Sequence, residues 1–132
     1  MKYSAMTYNY DRPQLSLHPG WLRGLLALAI LLITYKSIAP ASGGVPILHF
    51  DKFIHAAAYA LLTGLIGFCW PRLSLLWIAI GTTFYGASLE IIQYLLPFGR
   101  TGSLADAIAN LAGILFVIYV WMAVSRLLRG QV

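Results

Sequence analysis

Four long apolar stretches, separated by short polar segments, dominate the sequence. They lie at roughly 21–38, 53–70, 73–96 and 104–128, and each is close to the ~20 residues that a helix needs to cross a ~30 Å hydrocarbon core. The stretches are continuous rather than alternating in ten-residue segments, which favours helices over a barrel. The pattern therefore predicts an all-α integral membrane bundle of four transmembrane helices.

The polar segments define the organisation around these helices. Residues 1–20 are polar and rich in tyrosine and predict a cytoplasmic N-terminal leader, followed by a single four-helix domain at 21–132. The Trp-Pro-Arg turn at 70–72 is so short that the second and third helices should be antiparallel neighbours. Small residues at four-residue spacing predict close helix packing in three of the helices. They are Ala56, Ala60 and Gly64, then Ala79, Thr83 and Ala87, then Ala105, Ala109 and Gly113.

Composition and charge add an orientation. With 60% hydrophobic and only 10% charged residues, the chain is neither an ordinary soluble domain nor disordered. Six basic residues fall on the side of the N-terminus and three on the other side, which favours both termini in the cytoplasm. The basic surplus is explained by this topology and by contact with the lipid bilayer, not by nucleic acid. The six are Lys2, Arg12, Arg23, Arg72, Arg126 and Arg129, and the three are Lys36, Lys52 and Arg100.

Polar residues recur at the outer ends of three helices, at helical spacing. Asp51, His55 and Tyr59 follow i, i+4, i+8 and have Lys52 beside them; Glu90 and Gln93 follow i, i+3; Asp106 and Asn110 follow i, i+4. Ionisable groups inside a membrane nearly always face the bundle interior or an aqueous cavity. The three stripes are therefore expected to meet in one pocket near the outer leaflet.

The same residues carry a resemblance to a known family. The sequence DKFIH at 51–55 with Tyr59, EIIQ at 90–93, and RTGSLADAIANLAG at 100–113 together resemble the VanZ-like family of small bacterial membrane proteins. The resemblance covers roughly residues 50–115. It implies a link to low-level resistance against teicoplanin, a glycopeptide antibiotic that binds cell-wall precursors.

Each charged residue of the pocket admits two interpretations. Glu90 either binds or reacts with a ligand, or pairs with Arg100 or Lys52 to fix the helix register. His55 either takes part in general acid–base chemistry with Glu90 or forms a hydrogen bond between helices. His55 and Glu90 are thus the catalytic candidates, and the sequence leaves open whether the protein is an enzyme at all.

Two further residues lie in the segment that leads into the fourth helix. Arg100 either binds a phosphate or carboxylate with its planar guanidinium group, or it forms an ion pair with Asp106. Ser103, three residues before Asp106, is expected to cap the helix rather than to act as a nucleophile. No metal or other cofactor is expected, because His49 and His55 are six residues apart and no cysteine joins them.

Three functions fit these features. The favoured one is an outer-leaflet pocket that binds or processes a lipid-linked cell-envelope molecule or a glycopeptide-type amphiphile. The alternative is a non-catalytic accessory subunit that docks on other membrane helices or on a second copy of itself. A proton-coupled carrier ranks lowest, because the sequence has no acidic residue deeper in the membrane than Glu90.

Overall fold

Four helices account for nearly all of the described structure. The computed structural model describes residues 19–40, 50–96 and 103–129, and no strand occurs in these ranges. Each helix is long and apolar enough to cross a membrane, which confirms the predicted fold class. Most of the predicted leader, and Arg100, lie outside the described residues. The helices are α1 (Pro19–Ile38), α2 (Phe50–Cys69), α3 (Leu75–Leu95) and α4 (Leu104–Arg129).

The first residues of α2 and α3 differ from the predicted ones. The helix α2 begins at Phe50 rather than at residue 53, so Asp51 and Lys52 belong to its first turn. The helix α3 begins after Ser74, whose hydroxyl accepts a hydrogen bond from the Trp77 N–H at 3.3 Å. A side chain that caps the free N–H groups in this way sets where a helix starts.

Contacts between helix ends fix the directions of the four helices. Ser37, near the end of α1, contacts Gln93, near the end of α3. Lys52 at the start of α2 contacts Asp106 at the start of α4. Because the Ser103 N–H, just before α4, also bonds to Glu90 near the end of α3, the ends of α1 and α3 meet the beginnings of α2 and α4. We call this the polar end of the bundle. It follows that α2 and α3 are antiparallel, as predicted.

The helix α2 is the centre of the bundle. It contacts α1, α3 and α4, and its interface with α4 is the most extensive of all. Between the described ranges of α1 and α4, no pair of Cα atoms comes within 8 Å. The buried core is apolar and is formed mainly by α1 and α2, with Ile114 from α4. Because the interface between α2 and α4 is extensive, the polar side chains at one end of α2 lie against α4.

A glycine allows α2 and α4 to approach each other closely. A Cβ atom on Gly113 would collide with the backbone carbonyl of Ala56 and crowd the backbone nitrogen of Ala60. Gly64, from the same predicted stripe as these alanines, has no neighbour within 4 Å of such an atom. The predicted small-residue packing therefore holds for Gly113 with Ala56 and Ala60. It does not hold for Thr83 and Ala87 of α3, which are exposed.

Gly113→Ala and Gly64→Ala make a matched test of this close approach. We expect Gly113→Ala to lower the free energy of unfolding by about 1 to 2 kcal/mol, because overpacking outweighs the gain in helix propensity. Gly64→Ala should leave it unchanged or raise it by up to about 1 kcal/mol. Denaturant titration in detergent micelles, followed by helicity, measures both values. Equal effects of the two variants would show that backbone contact at Gly113 does not limit packing.

Candidate functional site

An ion pair joins α2 to α4 at the polar end. The Lys52 ammonium donates a hydrogen bond to Asp51 Oδ2 at 2.7 Å and a second, short one to Asp106 Oδ1. The Asp106 side chain is only 14% exposed, whereas that of Asp51 is 60% exposed. A largely buried carboxylate needs a charged partner. The contact between Lys52 and Asp106 therefore stabilises the fold more than the contact between Lys52 and Asp51 does.

Ser103 caps α4, as predicted, and is tied to α3 as well. Its Oγ accepts a hydrogen bond from the Asp106 N–H at 3.1 Å and donates one to Asp106 Oδ2 at 2.7 Å. In a capping box the N–H of the capping residue would bond to the side chain three residues later. Here the Ser103 N–H bonds instead to Glu90 Oε2, at 3.0 Å. The first turn of α4 is thereby fixed to the last turns of α3.

Asn110 connects Glu90 with His55. Its Nδ2 donates to Glu90 Oε1 at 3.5 Å, and its Oδ1 lies 3.1 Å from His55 Nδ1. Because Asn110 Oδ1 can only accept, His55 Nδ1 is the donor. The other ring nitrogen of His55 lies 3.9 Å from Asp106 Oδ1. These contacts form one polar network across α2, α3 and α4. Its members are Lys52, His55, Glu90, Ser103, Asp106 and Asn110.

Tyr59 and Gln93, which the sequence also assigns to the pocket, lie at the edge of this network. Tyr59 is 3% exposed, and its ring packs on Gly86. Gln93 is buried, and its Nε2 donates to the backbone carbonyl of Ser37 at 3.1 Å. Gln93 thus connects α1 to α3 by a hydrogen bond, and it is not among the residues that form the polar network.

A cavity of about 420 Å³ opens beside the network. All four helices contribute to its lining, which combines apolar side chains with polar ones. Lys36 and Ser37 of α1 are the polar lining residues that the sequence reasoning missed. The available signal was their position in the last turn of α1, which ends at the same side as Glu90. The polar lining residues are Lys36, Ser37, Asp51, His55, Tyr59, Glu90 and Asn110.

The rim of the cavity reaches the surface that faces lipid. Leu32 of α1 and Ile54 of α2 both line the cavity, and they are 52% and 51% exposed. Ile33, Ala58 and Leu89 complete the apolar part of the lining. A molecule in the membrane could therefore place an apolar segment between α1 and α2 and a polar group against the network.

Comparison with known proteins identifies the family of this chain. A family model described as VanZ/LLP1 matches residues 3–127. The chain belongs to the VanZ/LLP1 family. The match extends beyond the region 50–115 on which the sequence resemblance rests, and it includes α1 and the whole polar network. No curated protein and no solved structure matches the chain.

The geometry gives partners within the described residues to two of the charged residues of this VanZ/LLP1 family member. Lys52 pairs with Asp51 and Asp106, so Asp106 has a partner other than Arg100. Glu90 accepts hydrogen bonds from uncharged groups of Ser103 and Asn110. A pair between Glu90 and Arg100 lies outside what the structure describes. Among the described residues, no three histidine, cysteine, aspartate or glutamate side chains form a metal-binding group.

Asp106→Asn and Asp51→Asn remove the same charge from the two carboxylates that share Lys52. We expect Asp106→Asn to lower the free energy of unfolding by about 1 to 3 kcal/mol, because it leaves a half-buried ammonium without its inner partner. Asp51→Asn should leave stability almost unchanged, because Asp51 is exposed to solvent. Unfolding in micelles, followed by circular dichroism, measures both. If Asp51→Asn were the more damaging change, the contact between Lys52 and Asp106 would not hold α2 to α4.

Proposed function

We propose that this VanZ/LLP1 family member binds an amphiphile at the outer leaflet of the bacterial inner membrane. The ligand is a lipid-linked cell-envelope molecule or a glycopeptide-type antibiotic, so the protein acts as a teicoplanin-resistance-like factor. The observation that carries the proposal is the cavity of about 420 Å³, which joins a lipid-facing apolar rim to a polar wall. Its volume falls within the ~300–1,000 Å³ range of small-molecule pockets.

The polar wall suits a headgroup that offers hydrogen-bond donors. A carboxylate has about four acceptor positions. Glu90 uses two of them for Ser103 and Asn110, one on each oxygen. The remaining positions can accept hydroxyl or amine groups of a sugar or peptide headgroup. Arg100, in the adjoining segment, is our proposed partner for a phosphate of the same ligand.

The polar network keeps this wall in place before a ligand arrives. His55 and Asn110 line the cavity, and Asp106 lies behind His55, with its Oδ1 3.9 Å from the ring. A binding group held by such supporting contacts loses little freedom when the ligand binds. The network therefore supports selective binding, whether or not a reaction follows.

Glu90→Gln and His55→Ala test the headgroup site, with Ser88→Ala as the control. Ser88 precedes Glu90 by two residues, bonds to the Phe84 carbonyl of its own helix and does not line the cavity. The measurement is the affinity of nanodisc-embedded protein for lipid II, the undecaprenyl-linked cell-wall precursor, and separately for teicoplanin. Loss of a charged hydrogen bond should weaken binding by about ten- to a hundred-fold in Glu90→Gln. Ser88→Ala should bind as the unmodified protein does.

Two outcomes would contradict the proposal. One is equal affinity in Glu90→Gln, His55→Ala and the unmodified protein. The other is a stoichiometric foreign membrane protein that copurifies in mild detergent and covers the cavity, which would instead favour the accessory-subunit function. Expression levels of all variants are compared first, so that loss of protein is not mistaken for loss of binding.

The proposed orientation places the polar end outside and both termini in the cytoplasm. All acidic residues that the structure describes, namely Asp51, Glu90 and Asp106, lie at the polar end, which leaves the basic surplus at the other end. The positive-inside rule then puts that other end in the cytoplasm.

Cysteine labelling checks the orientation. Leu104→Cys is at the polar end and 79% exposed, whereas Pro71→Cys lies in the exposed turn between α2 and α3. The natural Cys69 is buried, which keeps the background low. A membrane-impermeant maleimide should label Leu104→Cys in intact spheroplasts and Pro71→Cys only after lysis. The reverse pattern would place the cavity on the cytoplasmic side.

A further inference from the structure

A second depression lies at the opposite end of the bundle, between α1 and the turn from α2 to α3. We call it the basic-end groove. It has a volume of about 850 Å³ and mainly apolar walls, with a single charged side chain among its lining residues. Ile30, Trp70 and Leu73 are partly exposed along it, so it is open to the surroundings. Its lining residues are Leu26, Ile30, Ile66, Cys69, Trp70, Pro71, Arg72 and Leu73.

Two arginines are placed at this groove. Arg72 lines it directly. Arg23 precedes Leu26 by three residues and Ile30 by seven, so it shares their face of α1. The groove therefore has one arginine in its lining and a second on the face of α1 that borders it.

The charge around the groove is not balanced by nearby acids among the described residues. Every described acidic residue is at the polar end, the length of the bundle away. Arg126, in the last turns of α4, adds a further positive charge at the groove's end of the bundle. An anion is thus favoured at this end, and an apolar chain is favoured along the groove.

We propose that the basic-end groove binds one anionic phospholipid. Arg72 and Arg23 hold the phosphate, since a guanidinium matches phosphate geometry with two parallel hydrogen bonds. One acyl chain lies along Leu26, Ile30 and Ile66. Trp70 is at the headgroup level, where tryptophan is commonly found in membrane proteins. This site is separate from the cavity at the polar end and does not depend on the function proposed there.

Lipid binding to the full chain tests the proposal, with the headgroup and the arginine varied independently. Native mass spectrometry in detergent, with titrated phosphatidylglycerol or phosphatidylcholine, gives the affinity of the first bound lipid. We expect phosphatidylglycerol to bind more tightly than phosphatidylcholine. Arg72→Gln and Arg23→Gln should each weaken phosphatidylglycerol binding about five-fold. Arg126→Gln is the matched control on α4, and it should change the affinity for phosphatidylglycerol by less than about two-fold.

Ile30→Trp tests the acyl-chain part of the site without changing charge. The larger side chain fills the groove, so phosphatidylglycerol binding should weaken while helicity and the elution volume of the micelle stay the same. Equal loss in Arg126→Gln and Arg72→Gln would show a general attraction of the basic end for anions and would overturn the proposal. Full affinity in Ile30→Trp, or no preference between the two lipids, would overturn it as well.

Discussion

The close contact between α2 and α4 is the constraint on which the polar end depends. Gly113 has no side chain, so α4 can lie against the backbone of Ala56 and Ala60. At this separation Lys52 reaches Asp106, and His55 reaches Asn110. Within a membrane, water cannot satisfy these polar groups if the helices separate. A wider spacing would therefore lose every polar contact between α2 and α4.

The contacts divide the polar residues into two groups with different tasks. Lys52, Ser103 and Asp106 satisfy one another or the helix ends and do not line the cavity. Glu90, together with His55 and Asn110, faces the cavity and keeps acceptor capacity for a ligand. Ser103 connects the groups, because the residue that caps α4 also donates its N–H to Glu90. The binding that we propose at Glu90 would therefore be coupled to the start of α4.

Sequence reasoning could predict the helices and the meeting of polar stripes at one end. Apolar length fixes the number of helices, and alternating direction brings alternate helix ends to the same side. Sequence reasoning could not assign hydrogen-bond partners between helices, because periodicity gives the faces of one helix but not its rotation relative to the next helix. Gln93 is the clearest case, since it shares a stripe with Glu90 yet bonds to the Ser37 carbonyl of α1. The sequence places Lys36 among the basic residues of the outer side but does not assign it to the pocket, because α1 has no polar stripe like those of the other helices.

The helix α1 contributes to both depressions, and this relates the two ends of the molecule. Leu26 and Ile30 line the basic-end groove, and Leu32 lines the cavity. Polar contacts attach α1 to α3. The Thr34 hydroxyl lies 2.8 Å from the Tyr85 hydroxyl, and the Ser37 carbonyl accepts from Gln93. Since α1 forms one side of each depression, a shift of this helix alters both openings together. The lipid proposed for the groove and the amphiphile proposed for the cavity would thus both contact α1.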